Sequence, residues 1–131
     1  MTETNTLTLA SALDRIVGEI STLGLDIYLE TEHPEVAFIC ETLKTSPIQT
    51  ILFAVVLEKS GDDLATTKDL MNTLSISKIR LLGLKKEFEE LASKRLVVCR
   101  SRRGGSIGYR VSQSVVKAIQ SNAPVQPESL T

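Results

Sequence analysis

Hydrophobic residues recur at steps of three and four along the first 30 residues. This spacing predicts an amphipathic helix over about residues 8–30 with one buried stripe. The stripe comprises Leu9, Leu13, Ile16, Val17, Ile20, Leu23 and Ile27. After the His33-Pro34 break the same spacing returns over a shorter stretch, and it predicts a second helix that ends near Lys44.

Ser46 and Pro47 mark the start of a third helix. Serine can accept a backbone N–H bond as an N-cap, and proline at the first helical position loses only a donor that would be unpaired anyway. The residues up to Leu57 are apolar on nearly every side, so this helix is expected to be central and buried. Its predicted end is the turn at Ser60-Gly61.

A helix-turn-helix follows in the pattern. Thr66 stands three residues before Asp69, which is typical of a capping box that opens a short helix. A tight turn over residues 74–77 leads into a longer helix that ends at Lys94-Arg95. The inward face predicted for this longer helix comprises Leu81, Leu84, Phe88 and Leu91.

Two β-branched runs, residues 96–100 and 107–111, flank a loop that contains Gly104-Gly105 and predict a β-hairpin. Ser112 is expected to cap a last short helix with Val115, Val116 and Ile119 facing inward. The predicted class is α+β, mostly helical with a small β-hairpin. We expect a winged helix-turn-helix domain over residues 46–121, preceded by two extra helices packed on it within residues 1–45 and followed by a tail or interdomain linker over residues 122–131.

Composition narrows the choice of function. The 131 residues are 42% hydrophobic and 24% charged, which fits one globular domain, and 4% aromatic residues leave few platforms for stacking on nucleic-acid bases. Cys40 and Cys99 have no C-x-x-C spacing and only His33 to join them, so no metal site is predicted. The polar N-terminus lacks the pattern of a signal peptide. We therefore expect a cytoplasmic chain in which both thiols are reduced and buried, and no membrane contact, since the longest apolar run covers only residues 51–57.

Charge is segregated although the net charge is only −1. Residues 1–60 carry nine acids and three bases, whereas residues 94–121 carry seven bases and no acid. A basic stretch of this kind is typical of a contact with phosphates or with an acidic protein face, but it is equally typical of an ordinary solvated surface. The candidate contacts are Lys78, Arg100, Arg102 and Arg103.

No motif predicts catalysis. The chain has no G-x-x-x-x-G-K-[ST] and no G-x-S-x-G, and Gly104-Gly105 falls in a predicted hairpin rather than before a helix. Glu87, Glu89 and Glu90 are expected simply to solvate their helix. The sequence therefore predicts that this chain is not an enzyme and that it has no catalytic residue, cofactor or metal.

The outward side of the longer helix favours a protein partner. It would carry Ile79, Leu82, Lys86, Glu89 and Glu90. Readers of DNA base edges present polar or cationic side chains, and phosphates repel carboxylates. Two exposed aliphatic residues instead predict a contact with protein, with Ile79, Leu82 and Lys86 as the candidate residues.

Residues 46–122 resemble the N-terminal winged-helix region that precedes the ATPase module in a group of bacterial AAA-type ATPases. The similarity lies in SPIQTILFAVVLEKSGDDLATTKDL and LKKEFEELASKRLVVCRSRRGGSIGYRVSQSVVKAIQSN, with Ser46-Pro47 opening a buried helix and Tyr109-Arg110-Val111 preceding the last one. The resemblance implies a non-catalytic accessory module that contacts its own ATPase domain, another copy or a substrate protein. ATP binding and hydrolysis would belong to a segment beyond Thr131.

The alternative function is a stand-alone DNA-binding transcriptional regulator, in which the basic wing and Lys78 contact phosphates. The stripe on the first helix fits packing on its own domain or on a second copy, so the oligomeric state also stays open.

Overall fold

The structure, a computed structural model, describes residues 9–60, 64–101 and 107–120. Within these ranges the chain forms helices and a small antiparallel sheet, so the α+β class is confirmed. The elements in chain order are α1 (Leu9–Leu23), α2 (Leu25–Tyr28), α3 (Pro34–Leu43), α4 (Pro47–Ser60), β1 (Ala65–Thr66), α5 (Thr67–Leu74), α6 (Lys78–Leu82), α7 (Lys85–Ser93), β2 (Val97–Ser101), β3 (Ile107–Val111) and α8 (Gln113–Gln120).

Helix α4 lies at the centre, as its apolar run predicts. All residues from Gln49 to Val56 are buried. Helices α1 and α3 pack against α4, and so do α5, α7 and the sheet. One continuous hydrophobic cluster therefore joins the N-terminal helices to the rest of the chain.

The start of α4 is a capping box. The N–H of Gln49 donates to Ser46 Oγ, and the N–H of Ser46 donates to Gln49 Oε1, both at 3.2 Å. These bonds satisfy amide groups that a helix start leaves without partners. The predicted start at Ser46-Pro47 is confirmed.

The single long helix predicted over residues 8–30 is wrong. Helix α1 ends at Leu23 and α2 begins at Leu25, because Gly24 between them has φ +86°, a conformation that glycine adopts without strain. The residues on either side of the break do not continue the predicted buried stripe. Leu23 and Ile27, predicted to be buried, are 43% and 54% exposed.

The capping box at Thr66 is confirmed, since Thr66 Oγ1 accepts from the N–H of Asp69 at 3.1 Å and Asp69 Oδ2 accepts from the N–H of Thr66 at 3.0 Å. The longer helix that follows the turn is in fact two, α6 and α7, separated at Gly83-Leu84. Its predicted inward face is nevertheless confirmed. Leu81, Leu84, Phe88 and Leu91 are all buried.

The sheet has the order β1-β3-β2, with both pairs antiparallel. The predicted hairpin strands are confirmed, with Val97 opposite Val111 and Ser101 opposite Ile107. Gly104-Gly105 lies outside the described residues. Strand β1 was not predicted, since two residues are too short to show an alternating pattern.

Both cysteines are free, and the prediction that both are buried is wrong. Cys40 is half-buried and Cys99 is exposed. Partial burial still raises the pKa of the Cys99 thiol, and the nearby Glu89 carboxylate raises it further.

Helix α8 closes the fold against α1. Val115 is buried, and Val116 and Ile119 are half-buried, so the predicted inward face is broadly correct. The Ser112 hydroxyl, predicted to be a cap, instead donates to the carbonyl oxygen of Arg95 at 2.6 Å. It thereby ties the end of the hairpin to Arg95, two residues before β2.

Candidate functional site

Helix α6 is placed on the surface by a tight turn. Ser75 ends α5 in the left-handed conformation (φ 57°), and Ser77 caps α6 by accepting from the N–H of Arg80 at 3.1 Å. The helix is only five residues long and ends at Leu82, with Gly83 as its C-cap. Serines at both ends of the turn therefore fix the direction in which α6 presents its side chains.

The apolar residues of α6 divide between the core and the solvent. Leu81 is buried, whereas Ile79 is 81% exposed and Leu82 is 64% exposed. Exposed aliphatic side chains of this size, side by side on one short helix, have no role in the packing of the described residues. The outward position predicted for both residues is confirmed.

Cations surround these two side chains. Lys78 and Lys86 are exposed, as are Arg80 and Lys85. No acid occurs in residues 78–86. The surface is therefore an apolar centre with a positive rim, and we call it the α6 surface, comprising Lys78, Ile79, Arg80, Leu82, Lys85 and Lys86.

Helix α2 borders the α6 surface. Arg80 Nη2 lies 2.9 Å from Asp26 Oδ1, and the short helix of Asp26 also exposes Ile27. A β-carbon at Gly24 would lie 3.1 Å from Ser75 Cβ, which shows how closely the break in the N-terminal helices approaches the turn before α6. The hydrophobic spacing assigns Ile27 to the core, so the sequence does not predict that α2 borders the α6 surface.

The predicted phosphate contacts do not all lie together. Arg100 is exposed on β2 opposite Gly108, and Arg110 lies opposite Val98 on the same face of the sheet. Lys78 belongs to the α6 surface. Arg102 and Arg103 lie outside the described residues.

Glu87 and Glu90 do more than solvate α7, which corrects the prediction. The side-chain amide of Gln49, on buried α4, donates to Glu87 Oε1 at 3.0 Å and to Glu90 Oε1 at 2.5 Å. Glu89 is exposed, and its Oε2 lies 3.9 Å from Lys85 Nζ. The two bonded carboxylates hold α7, and with it the base of the α6 surface, against the central helix.

A groove of about 670 Å³ lies between α3 and the start of α4, with Cys40, Pro47 and Ile51 in its lining. At one end the His33 ring stacks on Tyr28, with centroids 3.8 Å apart. His33 Nε2 is 2.8 Å from the Tyr28 carbonyl oxygen, and Cys40 Sγ is 3.3 Å from Thr50 Oγ1. The thiol and the imidazole therefore bond to different partners and do not form a nucleophile–base pair.

The part of the chain that the structure describes holds no group of three or more potential metal ligands. In the same residues, every helix falls short of the length and apolar character required to cross a bilayer. A scan against protein-family models and searches of curated proteins and solved structures return no match to this chain.

Proposed function

We propose that the chain is a non-catalytic winged-helix module that binds protein through the α6 surface. The observation that carries this proposal is the exposure of Ile79 and Leu82, 81% and 64%, on the second helix of a helix-turn-helix arrangement. Aliphatic side chains gain free energy when a partner covers them, at about 25 cal/mol per Å² of apolar surface removed from water. They offer no hydrogen bond to a base edge.

The order of elements supports the winged-helix part of the proposal. Helix α4, strand β1, helices α5 to α7 and the β2-β3 hairpin follow one another, and β3 pairs with both other strands. In this arrangement the helices after the turn stand on the surface, where a recognition helix would contact a partner.

We further assign the module to an AAA-type ATPase in the cytoplasm, in which it serves as an accessory or regulatory domain. ATP hydrolysis then belongs to a segment after Thr131, because the 131 residues contain no Walker A motif. The partner is the protein's own ATPase domain, another copy or a substrate protein.

The coding frame tests the assignment to an ATPase. It should continue beyond Thr131 into a glycine-rich G-x-x-x-x-G-K-[ST] motif. A stop codon directly after Thr131 would contradict the assignment and leave the α6 surface to be explained by a free-standing protein.

DNA binding is the second candidate, and the observation that favours it is the exposed Arg100 with Arg110 on the same face of the sheet. Fluorescence anisotropy of a labelled duplex of about 30 base pairs, titrated at 50 and 200 mM salt, separates the two. If the chain binds protein and not DNA, the anisotropy of the duplex should not rise at either salt concentration. Binding that falls steeply with salt and is lost in both Lys78→Ala and Arg100→Ala would establish DNA as the partner.

A further inference from the structure

The exposed apolar residues of this molecule are concentrated in one place. Five large hydrophobic side chains are exposed among the described residues, and four of them lie on α6 or around Gly24. The fifth, Ile107, lies at the start of β3. Scattered exposed aliphatics are normal on a protein surface, but a cluster of four marks a contact site.

The two halves of this cluster have opposite charge. The segment around Gly24, residues 19–30, contains three acids and no base, whereas residues 78–86 contain four bases and no acid. All three acids are exposed. We call the first segment the α2 surface, comprising Glu19, Leu23, Asp26, Ile27 and Glu30.

The α2 and α6 surfaces adjoin within one molecule. The Arg80–Asp26 ion pair, at 2.9 Å, links them across their boundary. Each surface exposes two aliphatic side chains. The charged residues of the α2 surface are acids and those of the α6 surface are bases, with the acid Glu89 bordering the α6 surface 3.9 Å from Lys85. Together they form one continuous face that is acidic on one side and basic on the other.

From this complementarity we infer that the face binds a second copy of the chain, as a two-fold dimer in which the α2 surface of each copy covers the α6 surface of the other. In a two-fold dimer both copies use the same surface, and every contact between two residues occurs twice, once in each direction. The surface must therefore be complementary to itself. A surface with an acidic half and a basic half meets this requirement, because the acidic half of each copy contacts the basic half of the other. The opposite electrostatic potentials of the two halves also favour this alignment over others. The inference rests on the proposed function, since it names the protein partner of the α6 surface.

The first test measures mass by sedimentation velocity over about 1–100 µM protein. The wild-type chain should be dimeric at the upper concentrations. Ile79→Asp places a carboxylate against the acidic α2 surface of the partner, and it should weaken association by roughly ten- to hundredfold. Ile107→Asp is the matched control, because it makes the same change on the exposed residue outside the cluster, and it should dimerise like the wild type.

A charge exchange tests the geometry itself and does not depend on one variant folding well. Glu30→Lys and Lys78→Glu, prepared separately, should each dimerise more weakly than the wild type, since each creates like-charge contacts at both symmetric positions. When the two variants are mixed, every charged contact becomes complementary again. The mixture should therefore form heterodimers that contain one copy of each variant, and these should be more stable than the homodimers of either variant.

Circular dichroism melts of each variant confirm that the fold is kept. A wild-type chain that stays monomeric at 100 µM overturns the dimer, as does a mixture that gains nothing over its components. If that monomer also fails to bind duplex DNA, the protein-binding function stands with another partner. If it binds duplex in a salt-dependent manner through Lys78, both the dimer and the proposed function fail.

Discussion

Gln49 links the central helix to α7, and Gln49→Glu is the substitution that tests this link most sharply. The side chain is 3% exposed and its amide donates to both Glu87 and Glu90, at 3.0 and 2.5 Å. The substitution keeps the size and shape of the side chain but replaces the donor nitrogen with an oxygen. The bond from the Ser46 N–H survives, because an acceptor oxygen remains in place for it.

The loss of stability expected for Gln49→Glu follows from these distances. Two unit charges 4 Å apart repel by about 4 kcal/mol at an effective dielectric constant of about 20, and each hydrogen bond to a charged group contributes about 1.5–3 kcal/mol. Glu90 is exposed and Glu87 half-buried, so water screens a large part of both terms. We expect Gln49→Glu to lower the free energy of unfolding by about 2–4 kcal/mol at pH 8.

The loss should depend on pH. Two neighbouring carboxylates raise the pKa of the introduced carboxyl in the folded chain above its unfolded value of about 4.3. A group with a raised folded pKa binds more protons in the folded state, so stability falls as pH rises through that pKa. The deficit should therefore be largest at pH 8 and shrink toward pH 4.5.

Urea denaturation followed by circular dichroism between pH 4.5 and 8 measures both effects. Gln49→Met is the uncharged control, since it fills a similar space, loses the two bonds to Glu87 and Glu90 and also removes the acceptor for the Ser46 N–H. It should cost about 1–2 kcal/mol with no comparable pH dependence of the loss. Equal stability of Gln49→Glu and wild type at pH 8, or a deficit that is the same at every pH, would refute the network.

Three further substitutions test other parts of the packing. Glu35 is buried, and its Oε2 accepts a hydrogen bond from Nη1 of the exposed Arg15 at 3.1 Å. Burial alone would raise the pKa of Glu35. The hydrogen bonds from its own backbone N–H and from Arg15 nevertheless hold that pKa below its usual value. The stability it provides should be present at neutral pH and be lost as pH falls through that lowered pKa. Glu35→Gln should therefore cost roughly 1 kcal/mol in urea melts at pH 7, and the cost should shrink as the pH is lowered through that pKa. The buried Tyr28 hydroxyl has no hydrogen-bond partner among the described residues, so Tyr28→Phe should raise the unfolding free energy by about 1 kcal/mol; a loss would show that the hydroxyl is bonded in solution. A β-carbon at Gly108 would lie 2.6 Å from Leu64 Cβ, so Gly108→Ala should lower the thermal midpoint by an amount equivalent to about 1–3 kcal/mol, and an unchanged midpoint would contradict the close approach.

The sequence predicts elements whose signals are local. The N-cap at Ser46 and the capping box at Thr66 depend on residues a few positions apart, and both occur in the structure, where Gln49 adds the reciprocal bond at Ser46. The burial of α4 follows from its apolar run, and the inward face of α7 follows from the spacing of Phe88 and Leu91. The exposure of Ile79 and Leu82 follows from the same spacing, so the sequence predicts the apolar centre of the α6 surface.

Contacts that join distant segments could not be predicted in this way. Gln49 meets Glu87 and Glu90 across 38 and 41 residues, and nothing in a charged helix distinguishes these two carboxylates from Glu89. The Arg80–Asp26 pair likewise depends on how two helices pack. Strand β1 owes its existence to pairing with β3 rather than to its own two residues.

The two breaks in predicted helices both border the surfaces to which we assign binding. An unbroken helix through Gly24 would direct Leu23 and Ile27 to the core stripe, as their spacing predicts. In the structure Leu23 ends α1 and Ile27 follows the positive φ of Gly24, and both are exposed on the segment of the acid that pairs with Arg80. The second break, at Gly83, ends α6 after one exposed turn and lets α7 return to the core. Local patterns are expected to fail where a protein gives up packing for function. The failure around Gly24 exposes two aliphatic side chains that the spacing assigns to the core, and they border the residues of α6 that the spacing already places outside.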